Sequence, residues 1–207
     1  AHDPIIVYVS GGNTQIIGYA AGRYRVFGET QDIPIGNAID VFVRETYGKG
    51  RKADSFGGPI LEREAEGGHY VELPYVVKGM DLSFTGIMTA AIQKYNGTNF
   101  KDLAFSFQET CYAMLTEVTE RALAHTGKKE VMLVGGVAAS KRFSEMVEKM
   151  CEERGAKAFV VPKEYSGDQG AMIAWTGLLA HKHGQAPTEN PDFNPQWRTD
   201  QVDVLWM

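Results

Sequence analysis

Residues 4–10, 15–20 and 23–29 are dense in Ile, Val and Tyr and are divided by GGN and AAG. The pattern predicts three consecutive antiparallel strands joined by tight turns. In the next stretch, IGNAIDVFVRETYG, Ile35, Ile39, Phe42 and Val43 recur near helical spacing and the segment ends on Gly48. GKGRKADSFGG, residues 48–58, reads as a glycine-rich, partly basic loop, and PILEREAEGG as a helix with Pro59 in its first turn. HYVELPYVVKGMDLSF is irregular. FTGIMTAAIQKY and KDLAFSFQETCYAMLTEVTERALAHTG read as two helices, the second running to Gly127 and long enough to be a central support. The last third alternates as strand 131–134, helix 139–154, strand 158–161 and helix 168–183, with GG and SGDQG at the strand-to-helix turns. That is an α/β pattern with parallel strands. The tail from Gly184, with prolines at 187, 191 and 195, is expected to wrap or to hang loose.

Composition narrows the picture. With 207 residues and 43% hydrophobic content, the chain can bury a sizeable core as one large domain or two small ones. Lys plus Arg is 21 against 26 Asp plus Glu, a formal charge of −5, which argues against unaided binding to nucleic acid because phosphate neutralisation supplies most such affinity. A basic partner can still supply it. Cys111 and Cys151 form no CxxC pair and no disulfide-scaffold density, which suits a reducing, cytoplasmic setting. No apolar run approaches the roughly 20 residues that span a bilayer, and AHDPIIVYV lacks the layout of a signal peptide. A soluble chain with no membrane contact is expected.

Four glycine-containing turns follow apolar segments or open helices: SGGNT (10–14), GGP (57–59), VGGVAAS (134–140) and YSGDQGAM (165–172). Backbone amides exposed at a helix N-terminus form a ready anion site. Any one of these glycines alone is explained by a tight turn, whereas four in an α/β chain point to a nucleotide-type ligand. Asp40, one helical turn after Gly36 and Asn37, is either a ribose ligand or a solvated helix-face charge. Glu62 either bonds a ribose hydroxyl or complements a helix dipole. Asp168 is either a helix N-cap or a metal- or phosphate-facing carboxylate, and Tyr8 either packs or offers its phenol to a metal. The five histidines make no HxxxH or HExxH pair, and no Ser/His/Asp or Cys/His arrangement stands out. The order of three antiparallel strands, helices and then parallel strands resembles the RNase H-like lobe of an actin-like ATPase fold.

Six ordered segments, YVSGGNTQ, GNAIDVFVRE, GGPILE, DLSFTGI, LVGGVAASKRF and GDQGAMIAW, resemble the TsaD family, specifically its archaeal and eukaryotic branch, the catalytic subunit of the KEOPS complex. The resemblance runs from about residue 5 to Trp206. It implies transfer of a threonylcarbamoyl group from threonylcarbamoyl-adenylate to N6 of adenosine 37 in tRNAs that read ANN codons. It also implies one divalent metal ion, iron or zinc, an adenylate-type ligand or ATP, and partners that include tRNA, an atypical kinase and a small dimerisation subunit. Carried over by position, Tyr8 and Asp168 would be metal ligands, Tyr8, Val9, Ser10, Gly11 and Gly12 would contact the threonylcarbamoyl-phosphate, and Asp40, Gly58 and Glu62 would bind the adenosine. Ser140 stands where the family ordinarily places a nucleotide-contacting Asn, and loop 48–58 is a few residues longer than usual. The family's first lobe, with its HxxxH helix, is not in this sequence, so residues 1–183 are expected to be the C-terminal lobe, with a helical insertion at about 48–127 and a tail from 184. Alone, such a lobe is expected to be inactive. The competing expectations are a non-catalytic nucleotide-binding scaffold for the kinase subunit, or another actin-like phosphotransferase.

Overall fold

The computed structural model describes residues 1–48, 57–185 and 193–206. Its first strand, β1 (Ile5–Val9), buries Ile5, Val7 and Val9 and leaves Ile6 and Tyr8 half-buried on the opposite face, as the period of two requires. It continues through a turn into β2 (Thr14–Ala20) and β3 (Arg23–Glu29), both antiparallel. The β2–β3 register shifts between Ile16 and Ile17, which bends the ribbon locally. Helix α1 (Ile35–Glu45) follows, and its first amide is capped from outside: Pro34 has no cap to offer, so Thr14 Oγ1 accepts the Ile35 N–H at 2.9 Å. The helix stops at Thr46, two residues before the glycine expected to end it.

Helix α2 (Gly57–Ala65) begins two residues before Pro59, and the loop expected over 48–58 lies mostly outside the described residues. The stretch read as irregular contains a small hairpin, β4 (Val77–Lys78) and β5 (Asp81–Leu82), held to the main sheet by the Gln31 N–H bond to the Leu82 carbonyl at 2.8 Å. Helix α3 (Thr85–Lys94) leads to α4 (Phe100–Thr126), whose 27 residues span about 40 Å at 1.5 Å per residue. Gly127, at φ +68°, ends α4 in the left-handed conformation usual for a C-terminal glycine. Then come β6 (Glu130–Val134), a short 3-10 turn at Gly136–Ala139, α5 (Lys141–Glu153), β7 (Lys157–Val160) and α6 (Gly170–Lys182).

The sheet order is β3-β2-β1-β6-β7, with β6 parallel to β1 and β7 parallel to β6. This is the order of an RNase H-like lobe, in agreement with the α/β reading of the sequence. The core lies where α1, α4 and α5 meet the face carrying Val7, Val131 and Leu133. Phe42 of α1 stacks on Phe107 of α4 at 4.8 Å between ring centres, and both are fully buried. Each such ring contributes about 1.5–3 kcal/mol through burial. Helix α6 differs: none of its residues is buried, and Ile173 and Trp175 are 68% and 60% exposed. No helix among the described residues is long and apolar enough to cross a membrane.

Candidate active site

The carboxyl ends of the adjacent parallel strands β1 and β6 carry the first and third glycine turns, the place where open α/β sheets form ligand crevices. Three glycines let the surrounding backbones close in. The Gly36 N–H donates to the Ser10 carbonyl at 3.1 Å, and a Cβ on Gly36 would lie 2.6 Å from that oxygen. Gly135, at φ +95°, sits against the Val9 carbonyl, where a side chain would overlap it. Gly57 packs on α1, with its N–H donating to Asp40 Oδ1 at 2.6 Å. Gly58, by contrast, faces open space.

Glu62, on α2, reaches α5. Its Oε1 accepts the Lys141 N–H at 2.8 Å, the Arg142 N–H at 3.3 Å and the Ser140 hydroxyl at 3.4 Å. A carboxylate at a helix N-terminus is favoured by both the orphan amides and the dipole, but the helix is α5 rather than its own. Ser140 is the N-cap of α5: it is 8% exposed, and its Oγ accepts the Phe143 N–H at 3.4 Å. Behind it Arg142 makes a two-pronged ion pair with Glu109 of α4, both contacts at 2.6 Å. The neighbouring Tyr112 phenol is pushed up by burial and stays protonated. A continuous rim therefore runs from the Ser10 turn through Gly36, Asp40, Gly57 and Glu62 to the start of α5.

Within the first turn, Ser10 Oγ accepts the Gly12 and Asn13 amides at 3.2 and 3.0 Å. Gly11 and Gly12 are exposed, and Ser10 Oγ is the acceptor for two amides of the turn. The Tyr8 hydroxyl is 3.5 Å from Asn13 Nδ2, placing this phenol at the turn. Asp168 is exposed and lies one residue before Gln169, the N-cap of α6, which makes no side-chain cap bond. Among the described residues, no group of three or more His, Cys, Asp or Glu side chains is placed to hold a metal ion. One phenol and one carboxylate do not complete the coordination of a first-row metal, so Tyr8 and Asp168 do not by themselves fit one.

Sequence reasoning missed Glu109 and Arg142, and gave Asn13, Thr14 and Gly57 only as members of their turns. Thr14 and Asn13 stand inside the quoted turn, yet their partners are set by how α1 and Tyr8 fold back on it. Arg142 and Glu109 carry no local signal, since 33 residues separate them.

The family model described as TsaD, tRNA N6-adenosine threonylcarbamoyltransferase, matches residues 1–175. The chain belongs to the TsaD family. Relatives named tRNA N6-adenosine threonylcarbamoyltransferase in Archaeoglobus fulgidus and Thermococcus kodakarensis are 56% and 55% identical over 209 and 208 residues. These alignments cover 100% and 99% of this chain and 63% and 62% of those proteins. A Methanocorpusculum labreanum protein named a probable bifunctional tRNA threonylcarbamoyladenosine biosynthesis protein is 53% identical over 206 residues, which are 99% of this chain and 38% of its own length. This TsaD chain thus spans less than two thirds of these curated relatives. The crystal structure of T. kodakarensis HypF superposes with a TM-score of 0.55 over 72% of this chain and 20% of that one, at 21% identity, a likeness of fold alone.

Proposed function

We propose that this chain supplies the nucleotide-binding half of a tRNA N6-adenosine threonylcarbamoyltransferase. Threonylcarbamoyl-adenylate would lie along the rim from the Ser10–Asn13 turn to the start of α5. The observation that supports this most is the bonded path Ser10–Gly36–Asp40–Gly57 and Glu62–Lys141, which gathers three glycine turns at one end of the sheet. In this reading Tyr8, Val9, Ser10, Gly11 and Gly12 meet the threonylcarbamoyl-phosphate, Asp40, Gly58 and Glu62 meet the adenosine, and Ser140 backs Glu62.

The substrate is a mixed anhydride and needs no protein nucleophile. The exocyclic N6 nitrogen bonds to the carbamoyl carbon, the bond from that carbon to the phosphate oxygen breaks, and AMP leaves with the electron pair. The amine proton passes to water. The chain's part is to fix the anhydride against the attacking amine and to set N–H groups where negative charge grows. Swinging Ser10 Oγ away from the Gly12 and Asn13 amides would present both to a phosphate oxygen. A divalent iron or zinc ion would supply Lewis-acid chemistry only where donors from outside this chain join Tyr8 and Asp168. The acceptor is a tRNA adenosine, and the acidic balance of the chain leaves most contacts to the tRNA backbone to KEOPS-type partners.

Calorimetric titration of the chain with threonylcarbamoyl-adenylate tests the reading. Saturable binding that weakens at least about tenfold in Asp40→Ala is expected, corresponding to loss of one bond to a charged group. Absence of binding by the folded chain, or equal affinity in the variant, refutes it.

A further inference from the structure

An open cleft of about 380 Å³ lies beside the first turn, walled by Asn13, Gln15, Glu29, Asp32, Trp197 and Arg198. Its size is within the roughly 300–1,000 Å³ range of small-molecule sites. The sheet order puts it on the β2–β3 side of β1, whereas Gly135 and the α5 end of the rim lie on the β6 side. The Ser10–Asn13 turn divides the two. Asn13 belongs to both: it lines the cleft and its side-chain amide approaches the Tyr8 hydroxyl at 3.5 Å.

The far wall is the C-terminal segment, and it is tied down. Arg198 Nη2 bonds both oxygens of Glu29 at 2.9 and 3.2 Å, and Arg23 pairs with Asp203 at 2.5 Å. The backbone N–H of Trp197 donates to the Asn194 carbonyl at 3.1 Å, and the indole itself is 61% exposed. The cleft thus combines an exposed indole, three side-chain amides (Asn13, Gln15 and Gln196) and two carboxylates against one guanidinium. Carboxylates repel an anionic guest, so the threonine carboxylate of the donor is disfavoured here. An indole face stacks a planar heterocycle, and side-chain amides pair in two-pronged fashion with N6 and N7 of adenine. Gln15 Nε2 already donates to Glu29 at 3.2 Å, a bond in which its carbonyl oxygen takes no part.

The geometry points to this cleft as the seat of the acceptor adenine, stacked on Trp197 with its exocyclic amine directed at Asn13 and the end of β1. The inference rests on the transferase reading and adds to it that donor and acceptor approach from opposite sides of one turn. The amine would enter from the β2–β3 side and attack an acyl group held on the β6 side. The acceptor's ring is then recognised by the strand pair and tail rather than by the α1–α2 surface.

The test is a 1H–15N titration of the chain with adenosine, reading the Trp197 indole N–H and the side-chain amides of Asn13, Gln15 and Gln196. Saturable shifts at these groups are expected, abolished in Trp197→Ala, retained in Trp197→Tyr, and at least about tenfold weaker with guanosine, whose six-position presents an acceptor in place of the amine. Exposure of the indole lets these variants keep the wild-type spectrum elsewhere, which the same experiment reads. Shifts confined to Gly57, Glu62 and Ser140 overturn the acceptor site and leave the transferase reading standing. Equal shifts with guanosine and uridine overturn the adenine assignment, and the absence of shifts at the cleft overturns the acceptor site, the transferase reading being decided separately by the donor titration.

Discussion

The Asp40 carboxylate accepts the Gly57 amide proton at 2.6 Å, tying the middle of α1 to the first residue of α2. One oxygen thereby fixes the spacing between two helices whose ends shape the proposed nucleotide site. Asp40→Ala leaves that half-buried N–H without its charged acceptor and is expected to destabilise the fold by about 1.5–3 kcal/mol, the range for hydrogen bonds to charged groups. Asp40→Asn keeps an acceptor and should fall between. Urea unfolding midpoints at constant slope measure both.

Gly36→Ala places a methyl 2.6 Å from the Ser10 carbonyl oxygen and 2.7 Å from the Gly11 nitrogen. Both neighbours are backbone, so no rotamer relieves the overlap. A loss of about 1–3 kcal/mol is expected from overpacking, with faster hydrogen exchange at the Gly12 and Asn13 amides as the turn is displaced. Unaltered exchange there would show that the turn does not rest on α1.

Glu62→Ala strips the start of α5 of an acceptor for two backbone amides. Ser140 continues to cap Phe143, so the helix frays instead of dissolving. The expected cost is about 1–2 kcal/mol, with exchange protection falling first at Lys141 and Arg142. Glu62→Gln restores an uncharged acceptor and should recover part of the loss.

Asp32 is an acid-sensitive joint between the end of the strand ribbon and the start of α3. Burial raises its pKa, but the Phe84, Thr85 and Ile33 amides donate to the carboxylate and together hold it below the usual range. A carboxyl depressed in the folded state stabilises above its unfolded pKa of about 3.9, and that contribution fades as pH falls through the folded value. Asp32→Ala is therefore expected to cost at most about 1 kcal/mol at neutral pH, as for a lost helix cap on a solvent-screened residue, and less once wild type is protonated. Parallel unfolding curves for the two proteins at all pH values would contradict this.

Much of this arrangement was legible from local pattern. GGN and AAG mark where β1, β2 and β3 turn, whereas IIVYV is apolar throughout, so only packing in the sheet decides that Ile5, Val7 and Val9 form its buried face. The parallel β6 and β7 follow from apolar runs set between helices. The hairpin at Val77–Leu82 escapes because each strand is two residues long, too short for a period to show. Glu62 illustrates the harder limit. Its spacing after Gly58 allows a ligand or a dipole partner, and only folding brings it to Lys141, 79 residues on. The cleft beside Asn13 is equally hidden, because its aromatic wall, Trp197, arrives from the other end of the chain.

Helix α6 carries a different consequence. GAMIAWTGLLAHK is apolar on every side, and in this fold Met172, Ile173, Trp175 and Leu178 all face water. Such a surface is adhesive toward any other apolar surface, another copy included. Self-association of this chain through α6 is therefore expected to rise with its concentration, which sedimentation at a series of concentrations measures.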